Sequence, residues 1–144
     1  LELKEQVTLG KNQDMDYLST RVSISPDDEV CLSNAKYLFE LISRKGMIGC
    51  NPTLIPISKD MLKLVAADAE MEQFLDATGK LEYQADVGAL NWAAQTFCPK
   101  LATCVSLLGK RRAKPTKSCP AMIKQAVRWI AGNISMCLKT DKTN

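Results

Sequence analysis

The sequence predicts an α+β fold, mostly α, with an N-terminal β-hairpin followed by a helical bundle. Three observations predict it. Tyr83, Val87, Leu90, Ala94 and Phe97 recur at spacings of 4, 3, 4 and 3, which is one face of an α-helix. From Leu18, the alternation of Leu18, Thr20, Val22 and Ile24 with Ser19, Arg21 and Ser23 has the period of two of a strand. Ser25-Pro26-Asp27-Asp28 is turn chemistry, and it returns the chain into Glu29-Val-Cys-Leu32 as a second strand.

Taken in order, Val7 to Leu9 is a short β-favouring run and Gly10 to Asp14 is turn-like. Ser33 suits a helix N-cap, and Leu38, Leu41, Ile42 and Lys45 continue that helix to Gly46. Cys50 to Pro56 is extended, because each proline disfavours helix in the residue before it. Residues 57–82 read as an acidic linker. Within it Ser58 caps a short helix through Met61, Leu62 and Val65, and a helical turn falls near Met71 to Leu75. Residues 83–132 are the helical region. Pro99 opens a second helix with Leu101, Val105 and Leu108 inward. A third follows Lys114-Pro115-Thr116, with Met122, Ile123, Ala126, Val127 and Ile130 on its apolar side. Gly132 is then placed for a left-handed cap. Ile134 to Leu138 is strand-like.

The chain has 144 residues, 46% of them hydrophobic and 24% charged, which suits one globular domain. No apolar run approaches the ~20 residues that cross a bilayer, and no signal-peptide pattern opens the chain. The net charge of +3 hides an asymmetry. From Lys100 onward ten Lys or Arg stand against Asp141 alone, whereas residues 1–99 hold nine basic and fifteen acidic residues. Such a basic half suggests either a polyanion on one side or a solvated surface balanced by the acidic half. At 100° per residue Lys117, Lys124 and Arg128 fall within about 20° of one direction on the third helix, opposite its apolar side. The six cysteines include no C-x-x-C pair, so buried free thiols are expected rather than zinc or disulfides. With no histidine, Ser–His and Cys–His nucleophilic chemistry is excluded.

One string carries a resemblance: Tyr83-Gln-Ala-Asp-Val-Gly-Ala-Leu-Asn-Trp92, Pro99, Val105-Ser-Leu-Leu108, Pro115-Thr-Lys117, Lys124, Arg128-Trp129 and Gly132. It resembles the end of the reverse transcriptase domain in copia-type LTR retrotransposon polyproteins. There a tyrosine and a V/I-G-x-L-x-Y helix precede a T-R-P-D-I helix start, an N-P-T turn and a helix ending R-Y-L-K-G. The match departs at Cys98, Lys100 and Trp129, where the family has arginine, aspartate and tyrosine. Tyr17-Leu18-Ser19 and Leu32-Ser33-Asn34 are similar to the family's palm-end hairpin, and Cys50-Asn-Pro52 to Pro56 to its C-K-P-x-x-T-P connector.

The resemblance implies the end of the polymerase palm followed by a thumb-like bundle. Residues 133–144 would start a link to a ribonuclease H domain, and the chain would be a fragment of a longer polyprotein. It implies a non-catalytic, template/primer-gripping role in an RNA-directed DNA polymerase, in the cytoplasm, a virus-like particle or the nucleus. Partners would be a template–primer duplex and the rest of the polyprotein, with no membrane. The phosphate-contacting candidates are Lys110, Arg111, Arg112, Lys114, Lys117, Lys124 and Arg128. The parent polymerase would need Mg2+, but Asp27-Asp28 lacks the tyrosine of a Y-x-D-D motif and reads as a solvated turn. No catalytic residue or cofactor is therefore expected in this chain. Two other readings fit the residues: a stand-alone nucleic-acid-binding module, and a helical protein–protein module anchored by an exposed Trp92 or Trp129.

Overall fold

The computed structural model describes residues 8–139, which form a sheet and a helical bundle. The elements are β1 (Asp14–Tyr17), β2 (Thr20–Ile24), β3 (Val30–Ser33), α1 (Ala35–Arg44), α2 (Lys59–Glu70), α3 (Ala77–Thr96), a 3-10 turn (Pro99–Leu101), α4 (Ala102–Gly109), α5 (Cys119–Ala131) and β4 (Cys137–Lys139). The fold is α+β and mostly α, as the periodicities predict.

The four strands make one antiparallel sheet in the order β1-β2-β3-β4, where the sequence predicts a two-stranded hairpin and a strand-like run at Ile134 to Leu138. The expected hairpin is the β2–β3 pair, with Val22 opposite Leu32 and Ile24 opposite Val30. Leu18 and Ser19 are not strand. Their φ angles of 46° and 64° are left-handed, the geometry of a tight two-residue turn whose twist matches its flanking strands. The alternation of residue types runs on through this turn, so period alone could not find it. β4 adds the edge opposite β1, with Leu138 opposite Leu32, and brings the end of the described chain back beside β3. Val7 lies outside the described residues, and Thr8 to Gly10 is irregular.

The helix starts follow side-chain chemistry. Asn34, not Ser33, caps α1, its side-chain oxygen accepting the Tyr37 N–H at 3.0 Å, while Ser33 is engaged in β3. Ser58 caps α2 by accepting the Met61 N–H at 3.2 Å. Asp76 caps α3 by accepting the Gly79 N–H at 2.7 Å. The acidic linker is therefore mostly helix, and only its middle is not. That middle is pinned as well: the Leu75 N–H donates to the Pro115 carbonyl and the Lys117 N–H to the Gln73 carbonyl, each at 2.9 Å. The short helix read from Ser58 is the start of α2, but its full length and the start of α3 stayed hidden, because α2 buries only Val65 and the first turns of α3 stand in solvent. Neither segment has an apolar stripe to show.

The core lies among α1, α3, α4 and α5. Leu38, Leu90, Phe97, Leu101, Leu108, Met122, Val127 and Ile130 are fully buried in it. Every apolar residue assigned inward on the second and third helices is buried, and on α3 Ala93 replaces Ala94 at the innermost position. Two tyrosines cross-link helices: Tyr83 Oη donates to the Leu108 carbonyl at 2.7 Å and Tyr37 Oη to the Ala89 carbonyl at 2.9 Å. Burial pushes both phenols above their ordinary pKa. Asp86, buried on α3, accepts from Lys45 Nζ at 2.7 Å, and Glu82 lies 3.1 Å from the same ammonium. Burial alone would lower the Lys45 pKa, but its bonds to Asp86 and Glu82 outweigh that and raise it.

Gly132 is not left-handed. Its φ of −80° and ψ of −8° are helical, so the turn after α5 does not need glycine for a left-handed conformation. A Cβ on it would stand 2.8 Å from Pro52 Cβ, so glycine is needed for the close approach of the extended 50–56 segment. Three more bonds hold that segment to α5. Arg128 Nε donates to the Asn51 carbonyl at 2.7 Å, Gln125 Nε2 to the Ile55 carbonyl at 3.3 Å, and Thr53 Oγ1 to the Gln125 carbonyl at 3.3 Å.

Cys98, Cys104 and Cys119 are buried free thiols, whereas Cys31 and Cys50 are half-buried. Burial pushes Cys104 up to about 11 and raises Cys98 as well. The thiolate is the reactive form, so at pH 8.5 Cys104 should alkylate on the order of 100-fold more slowly than a free cysteine thiol such as glutathione in the same tube. Peptide mapping of the alkylated native protein reads the rate at Cys104. A rate equal to that of the free thiol would contradict the packing of α4.

Candidate functional site

The basic residues singled out in the sequence separate into two groups. Lys110, Arg111, Arg112, Lys114 and Lys117 occupy the α4–α5 connection and its approach to α5. All are exposed except Arg111, which is half-buried. Arg111 and Lys110 line a cavity of about 250 Å³ with Leu62, Val65, Leu107 and Met122. Their aliphatic stems can cover apolar surface there while the charged ends reach water.

This connection has a fixed course. The Arg111 and Arg112 N–H groups donate to the Leu108 and Gly109 carbonyls at 3.2 and 3.1 Å, continuing the turn after α4. Gln84 Nε2 on α3 donates to the Arg112 carbonyl at 2.9 Å. Lys114 Nζ lies 4.2 Å above the Phe74 ring centre, and Phe74 bridges to Thr116. Thr116 is fully buried, and its N–H donates to Cys119 Sγ at 3.2 Å. The charges are thus displayed on a scaffold with anchors on α2–α3 and α5. Gln84 and Phe74 escaped the sequence reading, since nothing in either residue's neighbourhood marks it as a brace.

The single stripe on α5 is not formed. Lys117 precedes the helix, which begins at Cys119, so the 100° rotation does not apply to it. Lys124 is exposed on α5, but Arg128 is half-buried with its Nε engaged by the Asn51 carbonyl. Arg128 fastens the 50–56 segment, a role invisible without the tertiary fold. None of the seven cations forms an ion pair with a carboxylate among the described residues. Arg112 also lines a groove of about 410 Å³ between α3 and α4, with Asn91, Gln95 and Ser106 as its polar neighbours.

Asp27 and Asp28 stand in an exposed turn, and Lys11 Nζ lies 3.1 Å from Asp28 Oδ2. That does not fit a pair of magnesium ions, which need convergent carboxylates. No group of three or more His, Cys, Asp or Glu among the described residues could hold a metal ion. The tryptophans are not exposed anchors either. Trp129 is 8% exposed, and Trp92 packs against Tyr37 at 4.5 Å and Phe97 at 5.9 Å between ring centres. Among the described residues, no helix is long and apolar enough to cross a membrane.

Comparison of the chain with protein-family models, with curated proteins and with solved structures finds no match.

Proposed function

We propose that this chain grips nucleic-acid backbone without reading sequence, as a non-catalytic template/primer-holding part of a copia-type reverse transcriptase. One observation carries the binding half of this reading. Lys110, Arg111, Arg112, Lys114 and Lys117 crowd into eight positions of a braced connection, with no carboxylate partner among the described residues. Five unneutralised cations held close together repel one another, and a row of phosphates relieves that repulsion. The braces on Arg112 and Thr116 reduce the ordering cost of binding. The assignment to a polymerase rests on the resemblance of residues 83–132, and the remainder of the polyprotein would supply the catalytic aspartates and Mg2+.

The test is the salt dependence of duplex binding. Each phosphate neutralised contributes about −0.9 to the slope of log affinity against log salt. Replacing Lys110, Arg112, Lys114 and Lys117 with glutamine should flatten that slope by roughly three to four, with affinities for unrelated sequences falling together. The matched control replaces Lys36, Lys59, Lys63 and Lys100, all exposed and outside the cluster, and should change the slope far less. An unchanged slope in the cluster variant, with its circular dichroism intact, would reduce the connection to a solvated basic loop.

A further inference from the structure

The groove between α3 and α4 has an order along its length. The turn at Pro99–Leu101 joins the two helices at one end. At the other end Tyr83 and Gln84 of α3 bond the Leu108 and Arg112 carbonyls, so the helices run antiparallel. Gln95 therefore lines the groove near the turn, Asn91 and Ser106 line its middle, and Gly109 and Arg112 line its far end with Val87. From Gln95 to Val87 the α3 backbone rises about 12 Å. Val87 and Val105 are buried and make an apolar floor. The volume of about 410 Å³ lies within the range of small-molecule sites.

The polar lining is not engaged by the protein. Among the described residues, the side chains of Asn91, Gln95, Ser106 and Arg112 make no hydrogen bond or ion pair to another protein group. No lining residue is acidic. Asn91 and Gln95 stand four apart on α3, so their carboxamides share one face. Each offers a donor beside an acceptor, the pair that reads an adenine edge. Arg112 presents a planar fork of donors that matches phosphate, and Gln84 Nε2 fixes its backbone by donating to the Arg112 carbonyl at 2.9 Å. The donor–acceptor pairs and the cation thus stand toward opposite ends of one apolar floor.

Gly109 leaves the cationic end open. It lies within α4 and is not left-handed, and a Cβ on it would meet nothing within 4 Å. Neither the backbone nor the packing calls for glycine there, and glycine weakens a helix. Its effect is room beside Arg112.

We propose that this groove holds a single adenine nucleotide. The base lies on the Val105 floor with its edge toward Asn91 and Gln95, and the phosphate reaches past Gly109 to Arg112. The site is separate from the basic connection, because Lys110, Lys114 and Lys117 do not line it, and it needs no duplex.

Amide NMR titration of the whole chain with adenosine monophosphate, to about 10 mM, tests this in the range of weak small-ligand sites. The side-chain amides of Asn91 and Gln95 and the backbone amides of Ser106 and Gly109 should shift, with a Kd on the order of 0.1–1 mM. Uridine monophosphate should bind about fivefold more weakly or worse, since it lacks the adenine edge. Adenosine and ribose phosphate, each carrying half of the ligand, should also bind more weakly. Gly109→Leu fills open space without a clash and should weaken binding about tenfold or more. Gln95→Ala, at an exposed position, should abolish the preference for adenine. Replacing Lys110, Lys114 and Lys117 together with glutamine should leave the Kd within about threefold, the residue of their screened long-range field. No shift at the highest concentration overturns the proposal. So does ribose phosphate binding as tightly as the nucleotide, equal affinity for the two nucleotides, unchanged binding in Gly109→Leu, or binding lost in the triple lysine variant.

Discussion

Asp86→Ala is expected to destabilise the fold by about 3–5 kcal/mol, because it strands a positive charge that has little access to water. Lys45 Nζ lies 2.7 Å from Asp86 Oδ2, and the two side chains are only 15% and 10% exposed. The pair joins the C-terminal end of α1 to the middle of α3, so it sets how the sheet-bearing half meets the bundle. Glu82, 68% exposed, is the second partner and would recover only part of the loss, because a solvated carboxylate interacts weakly. Lys45→Met should be comparably costly, leaving the carboxylate buried without its cation. The double replacement Lys45→Met with Asp86→Leu should recover most of the lost stability, since two apolar groups can replace a buried pair at little net cost. Urea denaturation of the four proteins closes the cycle. Additive single losses, with no recovery in the double variant, would mean that each side chain acts through packing and not through the other.

The raised Lys45 pKa gives the same contact an alkaline limit. The folded state holds the proton more tightly than the unfolded chain, whose lysines titrate near 10.4. This contribution is fully present below that value and is lost as pH rises through the higher folded pKa.

The sequence showed most clearly those elements that bury a continuous stripe. α5 buries Met122, Ile123, Ala126, Val127 and Ile130, and the 3.6-residue period over those positions is unambiguous. α2 and the start of α3 bury too little for any period, so their acidic, mixed composition resembled a linker. There the local caps are the signals: Ser58 marks the start of α2 and Asp76 that of α3. In the sheet, period two correctly found β2, but β4 is three residues long and pairs with a strand more than a hundred positions earlier. The strand-like run at Ile134 to Leu138 shows that a strand is there, but not which strand it pairs with.

The candidate site divides the same way. The charge run from Lys110 to Lys117 needs only counting, and its exposure follows from composition. What the sequence could not supply is the neighbour of each cation. Lys114 meets Phe74 and Arg128 meets Asn51, both across chain separations that no periodicity spans. A basic residue that bonds a backbone carbonyl and one that points into solvent look identical in one dimension. Reading Arg128 as a free stripe cation came from that identity, and placing Lys117 on α5 came from starting the helix two residues early.

Gly132→Ala should lower stability by about 1–3 kcal/mol, against the usual trend for such a change. At helical dihedrals, replacing glycine with alanine ordinarily stabilises by ~0.4–1 kcal/mol through the unfolded chain. Gly132 has helical dihedrals, so backbone conformation alone predicts a gain. The packing predicts the opposite sign. The added Cβ would lie 2.8 Å from Pro52 Cβ, a contact too short to persist, and the proline ring cannot swing aside as a flexible side chain would. Relief requires the 50–56 segment to lift from α5, which breaks the Arg128–Asn51 and Gln125–Ile55 bonds. The clash therefore carries a structural signature besides its cost. Amide hydrogen exchange should accelerate through residues 50–57, while the core amides of α3 keep their protection in proportion to global stability. Pro52→Gly removes the opposing Cβ, so alanine at 132 should be tolerated far better in that background. The coupling between the two positions should be of the order of 1 kcal/mol or more. If Gly132→Ala proves neutral or stabilising in the wild-type background, the segment does not press on α5 as described.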